Sequence, residues 1–246
     1  MNYCVIIPAR YQSSRLPGKP LIELSGIPMI IRTYQQCIKT CPAEKIYVAT
    51  DDERIRDTCR LYGIQVIMTS SNCLTGTDRI AECVEYIDAD VFINVQGDEP
   101  LFNPQDLDLL ISNIKKYPGE VLNGYCEITD ESLFRSATIP KVVFRPDGRL
   151  LYMSRSTIPS NKDQGFDKAW RQVCAYAFPR KALKDFASVL EKTKLESIED
   201  IEILRFLELG WDVRMLELSN DSIAVDTPDD IQRVETAIRE RNLLNV

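Results

Sequence analysis

The chain predicts an α/β fold built on a mostly parallel, Rossmann-like sheet flanked by helices, and three features carry that prediction. Short apolar, β-branched runs recur along the first half; amphipathic stretches of about ten to fifteen residues separate them; and segments rich in Gly, Pro and charge follow the runs directly. Near-continuous apolar strands of this kind are covered on both faces, which is the signature of βαβ units.

In order, residues 3–7 read as a strand that opens onto the loop Pro8-Ala9-Arg10-Tyr11-Gln12-Ser13-Ser14-Arg15-Leu16-Pro17-Gly18-Lys19-Pro20. Residues 29–40 read as a helix and 45–50 as a strand, after which Asp51-Asp52 caps a helix through Leu61. A strand follows at 65–68, a helix at about 78–87 and a strand at 91–95. The segments 8–20, 50–53 and 96–100 each follow a strand, so they are expected to gather at the carboxyl edge of the sheet, where such folds hold ligands.

The second half predicts a β-rich insertion. Residues 121–128, 141–145 and 149–154 read as strands, with Arg145-Pro146-Asp147-Gly148 as a tight hairpin turn. A polar stretch, 160–168, reads as a mobile loop before a strand at 172–178, helices to about Gly210 and a strand at 212–218. This half is expected to close over the sheet and supply acceptor binding or a subunit contact. Thr227 as N-cap, Pro228 at the first helical position and Asp229-Asp230 in the first turn start a final helix, 229–241.

Composition narrows the chemistry. The 246 residues allow one large domain with a substantial core. With 37 acidic and 30 basic residues the net charge is −7, which argues against general nucleic-acid binding. No apolar run reaches the length of a membrane span, and the N-terminal strand is too short for a secretory signal. The 8 cysteines are scattered without a CxxC pair and read as reduced thiols of a cytoplasmic protein. The chain has no histidine, so Ser-His-Asp and Cys-His catalysis and His-ligated zinc are excluded, and the cysteine spacing gives little support to a four-cysteine zinc site. Acid–base work falls to carboxylates, Lys, Tyr or metal-bound water.

Three segments carry candidate chemistry. The first loop holds Arg10, Arg15 and Lys19, a fork-and-point-charge set suited to a polyphosphate. Gln96-Gly97-Asp98-Glu99-Pro100 places a carboxylate at a strand end, where it can coordinate Mg²⁺ or simply end the strand. Asp226 offers a second carboxylate, with helix capping as its ordinary alternative. Thr75-Gly76-Thr77-Asp78-Arg79 is a small-residue turn into a helix, able to frame a base or ribose or only to cap.

Taken together these segments resemble a known family. Pro8-Ala9-Arg10, Arg15-Leu16-Pro17-Gly18-Lys19-Pro20-Leu21, Ala49-Thr50-Asp51-Asp52, Thr75 to Arg79, Asn94-Val95-Gln96-Gly97-Asp98-Glu99-Pro100 and Val225 to Asp230 run in order across nearly the whole chain. They are similar to the 3-deoxy-manno-octulosonate cytidylyltransferases (CMP-Kdo synthetases), as are Ser154-Arg155-Ser156-Thr157-Ile158-Pro159 and the helix with Leu195, Glu196, Glu199, Glu202 and Arg205. The resemblance implies Mg²⁺-dependent transfer of CMP from CTP to the anomeric hydroxyl of an acidic 3-deoxy-ulosonic sugar, first of all Kdo, with release of pyrophosphate, for lipopolysaccharide or capsule synthesis. By the same resemblance Arg10, Ser14, Arg15 and Lys19 meet the triphosphate, and Ala9 lies beside the base. Thr75, Gly76, Thr77 and Arg79 frame the cytidine, while Asp98 and Asp226 hold the metal. Lys19, Arg15, Asp98 and Asp226 are thereby the catalytic set. Arg155 meets the sugar acid, and Gln96, Gln172, Tyr176, Glu199, Glu202 and Ile203 line its pocket. One domain spans 1–246, with about 1–120 as the CTP half, about 121–218 for acceptor binding and dimerisation, and 219–246 as metal-ligand loop and helix. A cytoplasmic homodimer is implied.

Two departures fall in the sugar half. The family's His four residues before the acceptor-strand Tyr is Gln172 here, with Cys174 in place of the intervening glycine, and its Glu-Gln pair is Glu202-Ile203. Losing a hydrogen-bonding partner in such a pocket changes which hydroxyl pattern it accepts. The alternatives are a compensated Kdo site or a changed acceptor such as 8-amino-Kdo. A non-catalytic nucleotide-binding regulator is the other class of function, and the presence of Lys19, Asp98 and Asp226 argues against it.

Overall fold

The computed structural model describes residues 1–13 and 16–244. β1 (Tyr3–Ala9) is apolar along its length because both faces are covered: Val5 and Ile7 enter one core cluster, Cys4 and Ile6 another. A ribbon of β2 (Glu23–Leu24) and β3 (Ile27–Pro28) leads into α1 (Met29–Cys37). Then come β4 (Ile46–Thr50), α2 (Glu53–Leu61), β5 (Gln65–Met68), α3 (Gly76–Cys83) and β6 (Val91–Val95). The second half contains α4 (Pro104–Asn113), β7 (Val121–Ile128), α5 (Glu131–Arg135), β8 (Lys141–Phe144), β9 (Leu150–Ser154) and β10 (Ala169–Pro179). It ends with α6 (Arg180–Ala187), α7 (Lys194–Glu199), α8 (Ile203–Glu208), β11 (Val213–Glu217) and α9 (Pro228–Glu240).

The nine-stranded sheet runs β11-β7-β10-β6-β1-β4-β5, with β8 and β9 branching from β10. β1 lies parallel to β4 and β6, β4 to β5, and β11 to β7, whereas β10 is antiparallel to both β6 and β7. The mostly parallel sheet expected from the sequence is therefore present. The later strands do not close over it as expected; they extend it edgewise, because β10 takes up the open edge of β6.

Several boundaries differ for local reasons. α1 stops at Cys37, not Thr40, because the amides of Thr40 and Cys41 both turn back to the Cys37 carbonyl. α3 begins at Gly76, two residues early, since Thr75 and Asp78 form a capping box, and it tightens past Cys83. α4 was not expected, although Asn103 as N-cap and Pro104 at the first helical position mark its start. The Arg145–Gly148 turn is tight, with Gly148 at φ 85°. Segment 160–168 has no helix or strand, yet Phe166 packs 5.1 Å from Phe134 and the Asn161 side chain caps two of its amides.

Two features shape the carboxyl edge. A Cβ on Gly97 would stand 2.7 Å from the Pro8 carbonyl oxygen, so only glycine lets the ends of β1 and β6 approach this closely. β10 bulges between Val173 and Tyr176, and the buried Asn123 amide answers the loosened carbonyls of Val173 and Ala175 at 3.0 and 3.1 Å.

Candidate active site

A cleft of about 380 Å³ opens at the carboxyl ends of β1 and β6. Pro8, Ala9, Gln96 and Gly97 form its floor, and Arg10, Ser13 and Lys19 of the first loop stand along one side. Thr75 and Gly76 at the start of α3 face them. Lys192, Asp200 and Glu202 complete the far wall. Of the predicted nucleotide and metal positions, Ala9, Arg10, Lys19, Thr75, Gly76, Arg79, Gln96, Asp98 and Asp226 come together here. Ser14 and Arg15 lie outside the described residues.

The first loop is shaped by Gly18, which sits at φ 70° with its amide on the Tyr11 carbonyl. A Cβ there would also press to 3.2 Å of the Tyr11 ring. The next residue, Lys19, starts a 3₁₀ turn and aims its ammonium at two carboxylates, 2.6 Å from Asp98 and 3.2 Å from Asp226. Those carboxylates come from residues 128 positions apart (226 − 98) because their loops are stitched together. The Val225 amide donates to the Asp98 carbonyl at 2.9 Å, and the Ser222 hydroxyl to Glu99 at 2.5 Å. Burial pushes Glu99 up to about 7, against the pull of the Ser222 bond. The final helix is capped by Thr227 and Asp230, so Asp226 is not its N-cap and turns to Lys19.

The start of α3 is equally constrained. Thr75 donates amide and hydroxyl to Asp78, whose second oxygen takes Arg205 at 3.2 Å. Thr77 is buried, and its amide and hydroxyl both donate to Glu202, the amide at 3.0 Å. It therefore fixes Glu202 and leaves Thr75 and Gly76 to face the cleft. Burial raises the Glu202 carboxyl above the usual carboxylate range while the Thr77 bonds pull it back. Arg79 touches the cleft but is 3 % exposed, and it ties the ends of β4 and β5 by pairing with Asp51 at 3.3 Å and donating to Thr69. Segment 50–53 contributes to the site only through that brace.

The predicted sugar residues are placed differently. Glu202 and Gln96 line the cleft, but Arg155, Gln172, Tyr176, Glu199 and Ile203 do not. The Arg155 guanidinium is spent on carbonyls: Glu199 at 2.6 Å, Asp200 at 2.9 Å and Ala137 at 3.1 Å. Desolvation works to raise Glu199, yet donors from the Arg155 amide, Ser154 and Tyr152 hold it below its ordinary value. Gln172 donates to Asn123 at 3.1 Å and to the Tyr176 hydroxyl at 3.3 Å, and the Tyr176 ring stacks on Phe178. Ile203 is a core residue of α8. These groups form a supporting layer in which each hydrogen-bonding side chain already has partners.

Lys192 and Asp200 were not singled out from the sequence, and no local signal marks them. Lys192 sits in an unpatterned polar stretch, and Asp200 is a left-handed residue, φ 53°, between two short helices. Among the described residues no group of three or more His, Cys, Asp or Glu is arranged to hold a metal ion. The donor set at the cleft is the Asp98–Asp226 pair.

Comparison with known proteins places the chain in a family. A family model described as cytidylyltransferase matches residues 4–216, which leaves Asp226 and α9 beyond the match. An 8-amino-3,8-dideoxy-manno-octulosonate cytidylyltransferase of Shewanella halifaxensis is 38% identical over 243 residues, 97% of this chain and 99% of that one. The protein of the same name from Shewanella oneidensis is 39% identical over 241 residues, covering 96% and 98% of the two chains. A solved CMP:2-keto-3-deoxy-manno-octonic acid synthetase complexed with CTP superposes with a TM-score of 0.91 at 32% identity, covering 98% of this chain and 100% of that one. Sequence and fold thus coincide from end to end, and the chain belongs to the cytidylyltransferase family, a family of nucleotidyltransferase enzymes.

Proposed function

We propose that the protein transfers CMP from CTP to the anomeric hydroxyl of an 8-amino-3,8-dideoxy-ulosonic acid, releasing pyrophosphate. The observation that carries this is Lys19 set between Asp98 and Asp226 at the carboxyl edge, beside the arginine-bearing loop and facing Thr75 and Gly76. In the reaction the anomeric hydroxyl gives up its proton to solvent and its oxygen bonds to the α-phosphorus while the bond to the bridging oxygen breaks, and the pyrophosphate leaves with that electron pair. Such a displacement needs positioning and charge neutralisation more than covalent help. Arg10 and Lys19 meet the phosphates, and Ala9, Thr75 and Gly76 frame the cytidine.

Asp98 and Asp226 suit Mg²⁺, a cation that takes few carboxylates and completes its shell with phosphate oxygens and water. The Lys19 ammonium between the two carboxylates, at 2.6 and 3.2 Å, supports a cation site there. Bound between them, Mg²⁺ would acidify the attacking hydroxyl and offset charge at the α-phosphate, in a chain that has no histidine base. We also propose a cytoplasmic homodimer, from the family resemblance and from eight free thiols that suit a reducing compartment.

Two observations favour the amino sugar over Kdo. Gln172 and Ile203 replace the His and Gln of the Kdo pattern, and an isoleucine side chain has no group to hydrogen-bond a sugar hydroxyl; both stand off the cleft lining, so they bear on the acceptor through the residues they pack against. The curated relatives at 38% and 39% identity are named for the 8-amino acceptor. Pyrophosphate release from CTP and Mg²⁺ with Kdo, 8-amino-Kdo and a nine-carbon sialic-type acid tests the proposal. Preferential turnover of 8-amino-Kdo is expected. Preferential turnover of Kdo would make Gln172 and Ile203 compensated changes, and no turnover of any of the three with CTP bound would overturn the reading.

A further inference from the structure

We propose that Asp200 is a specificity-determining carboxylate that binds the acceptor's primary ammonium group, and that Lys192 holds its place until the acceptor arrives. The inference rests on the reading of an amino-bearing acceptor. Asp200 lines the cleft next to Glu202, and its close side-chain partner is the Lys192 ammonium at 2.5 Å, with Arg155 farther off at 3.8 Å. A lysine tip is a primary alkylammonium, the same functional group as an aminomethylene end on a sugar. The site therefore already holds, on a half-buried lysine arm, the group it is proposed to exchange for ligand.

The neighbouring carboxylates are committed elsewhere. Glu196 is held twice by Arg205, at 2.6 and 2.8 Å. Glu199 takes three donors from Tyr152, Ser154 and Arg155, and Glu208 takes the amides of Leu195 and Glu196 at the start of α7. Glu202 has one oxygen fixed by Thr77. Asp200 has its backbone fixed while its side chain is held by a single exchangeable lysine. Its amide donates to Glu196 and its carbonyl accepts from Arg155, while its side chain is 70% exposed. It also occupies the left-handed region, at φ 53° and ψ 50°, as the residue that ends α7, a conformation that Gly adopts at less cost than Asp or Asn.

The experiment compares kcat/KM for 8-amino-Kdo and for Kdo in the wild type, Asp200→Asn and Lys192→Met, with melting temperatures as a folding control. Asn keeps the shape and tolerates the left-handed backbone, and Asp200→Gly repeats the charge loss on a backbone with no such strain. Either Asp200 variant is expected to lower the ratio of amino sugar to Kdo about three- to fivefold, the worth of one largely exposed ion pair. Lys192→Met removes the competitor, so the ratio is expected to stay level or rise. A ratio unchanged in both Asp200 variants overturns the inference. So does a fall in Lys192→Met matching that in Asp200→Asn, since both substitutions break the same ion pair and a purely structural role would make them alike. If the wild type itself uses Kdo in preference, the acceptor reading fails and the inference goes with it. Wild-type preference for the amino sugar with an unmoved ratio in the variants overturns the inference alone.

Discussion

Lys19→Met keeps the stem of the side chain and removes the charge that joins Asp98 to Asp226, and it is expected to push Mg²⁺ affinity and turnover in opposite directions. The ammonium lies 2.6 Å from one carboxylate and 3.2 Å from the other, with Lys19 14% exposed and the two aspartates 31% and 45% exposed. Partly exposed ion pairs are worth about 0.2–1 kcal/mol each. Two on one ammonium, the shorter one the more sheltered, amount to about 1.5 kcal/mol. Mg²⁺ entering without nucleotide must displace that hold, so the variant is expected to bind it about tenfold more tightly. Turnover falls, because one preorganised cation on the transferring phosphates is worth about two to three orders of magnitude in kcat. Titration calorimetry with Mg²⁺ and no nucleotide, at constant ionic strength, reads the first effect, and pyrophosphate release reads the second. Equal or weaker Mg²⁺ binding by the variant would refute the reasoning, because it would mean that the ammonium and the metal do not compete for these carboxylates.

Three further outcomes are expected. Arg205→Met strands Glu196, fully buried with it, and removes the ion pair that steadies Asp78 in the capping box of α3; a loss of about 3–5 kcal/mol, roughly 10 °C in Tm, is expected, with part of it recovered in Arg205→Met/Glu196→Gln. A calorimetric loss under about 1 kcal/mol would contradict it. The raised pKa of Glu202 means that the folded chain holds that proton more firmly than the unfolded chain, so its ionisation costs stability as pH rises above the ordinary carboxylate value of 4.5. Glu202→Gln keeps an acceptor for Thr77 and is expected to melt above the wild type at pH 8, the gap closing as pH falls to about 4.5; a gap that does not change with pH would refute this. Gly97→Ala puts a methyl 2.7 Å from the Pro8 carbonyl oxygen and is expected to destabilise the chain by about 1–3 kcal/mol and weaken CTP binding, read by thermal melts with and without CTP.

The strands of the first half were legible because each is a closed local statement: five to seven apolar residues covered on both faces, ended by a turn. Parallel β1, β4 and β6 then put their following loops on one edge, which is why Arg10, Lys19, Gln96 and Asp98 could be grouped from the sequence alone. The second half was less legible. Its strands were found, but whether they cover the sheet or extend it depends on which edge of β6 is open, and that is a property of the assembled sheet. Side-chain partners were illegible in the same way: Arg155 and Thr77 have the chemistry of ligand-binding groups, and their donors here meet carbonyls and Glu202 from distant parts of the chain.

What the amino-acid sequence determined by itself was the class of sheet, the anion-ready first loop, the carboxylate at the end of β6 and the exclusion of histidine chemistry, because each follows from composition or from neighbours in sequence. Only the tertiary structure decided that the Lys19 ammonium itself lies between Asp98 and Asp226, a pair the family resemblance had already joined, and that Lys192 and Asp200 line the cleft. It also decided that Gln172 and Ile203 stand behind that lining, out of the cleft. The physical reason is that a buried polar side chain takes whichever partner packing brings within about 3 Å, and no spacing along the chain encodes that partner.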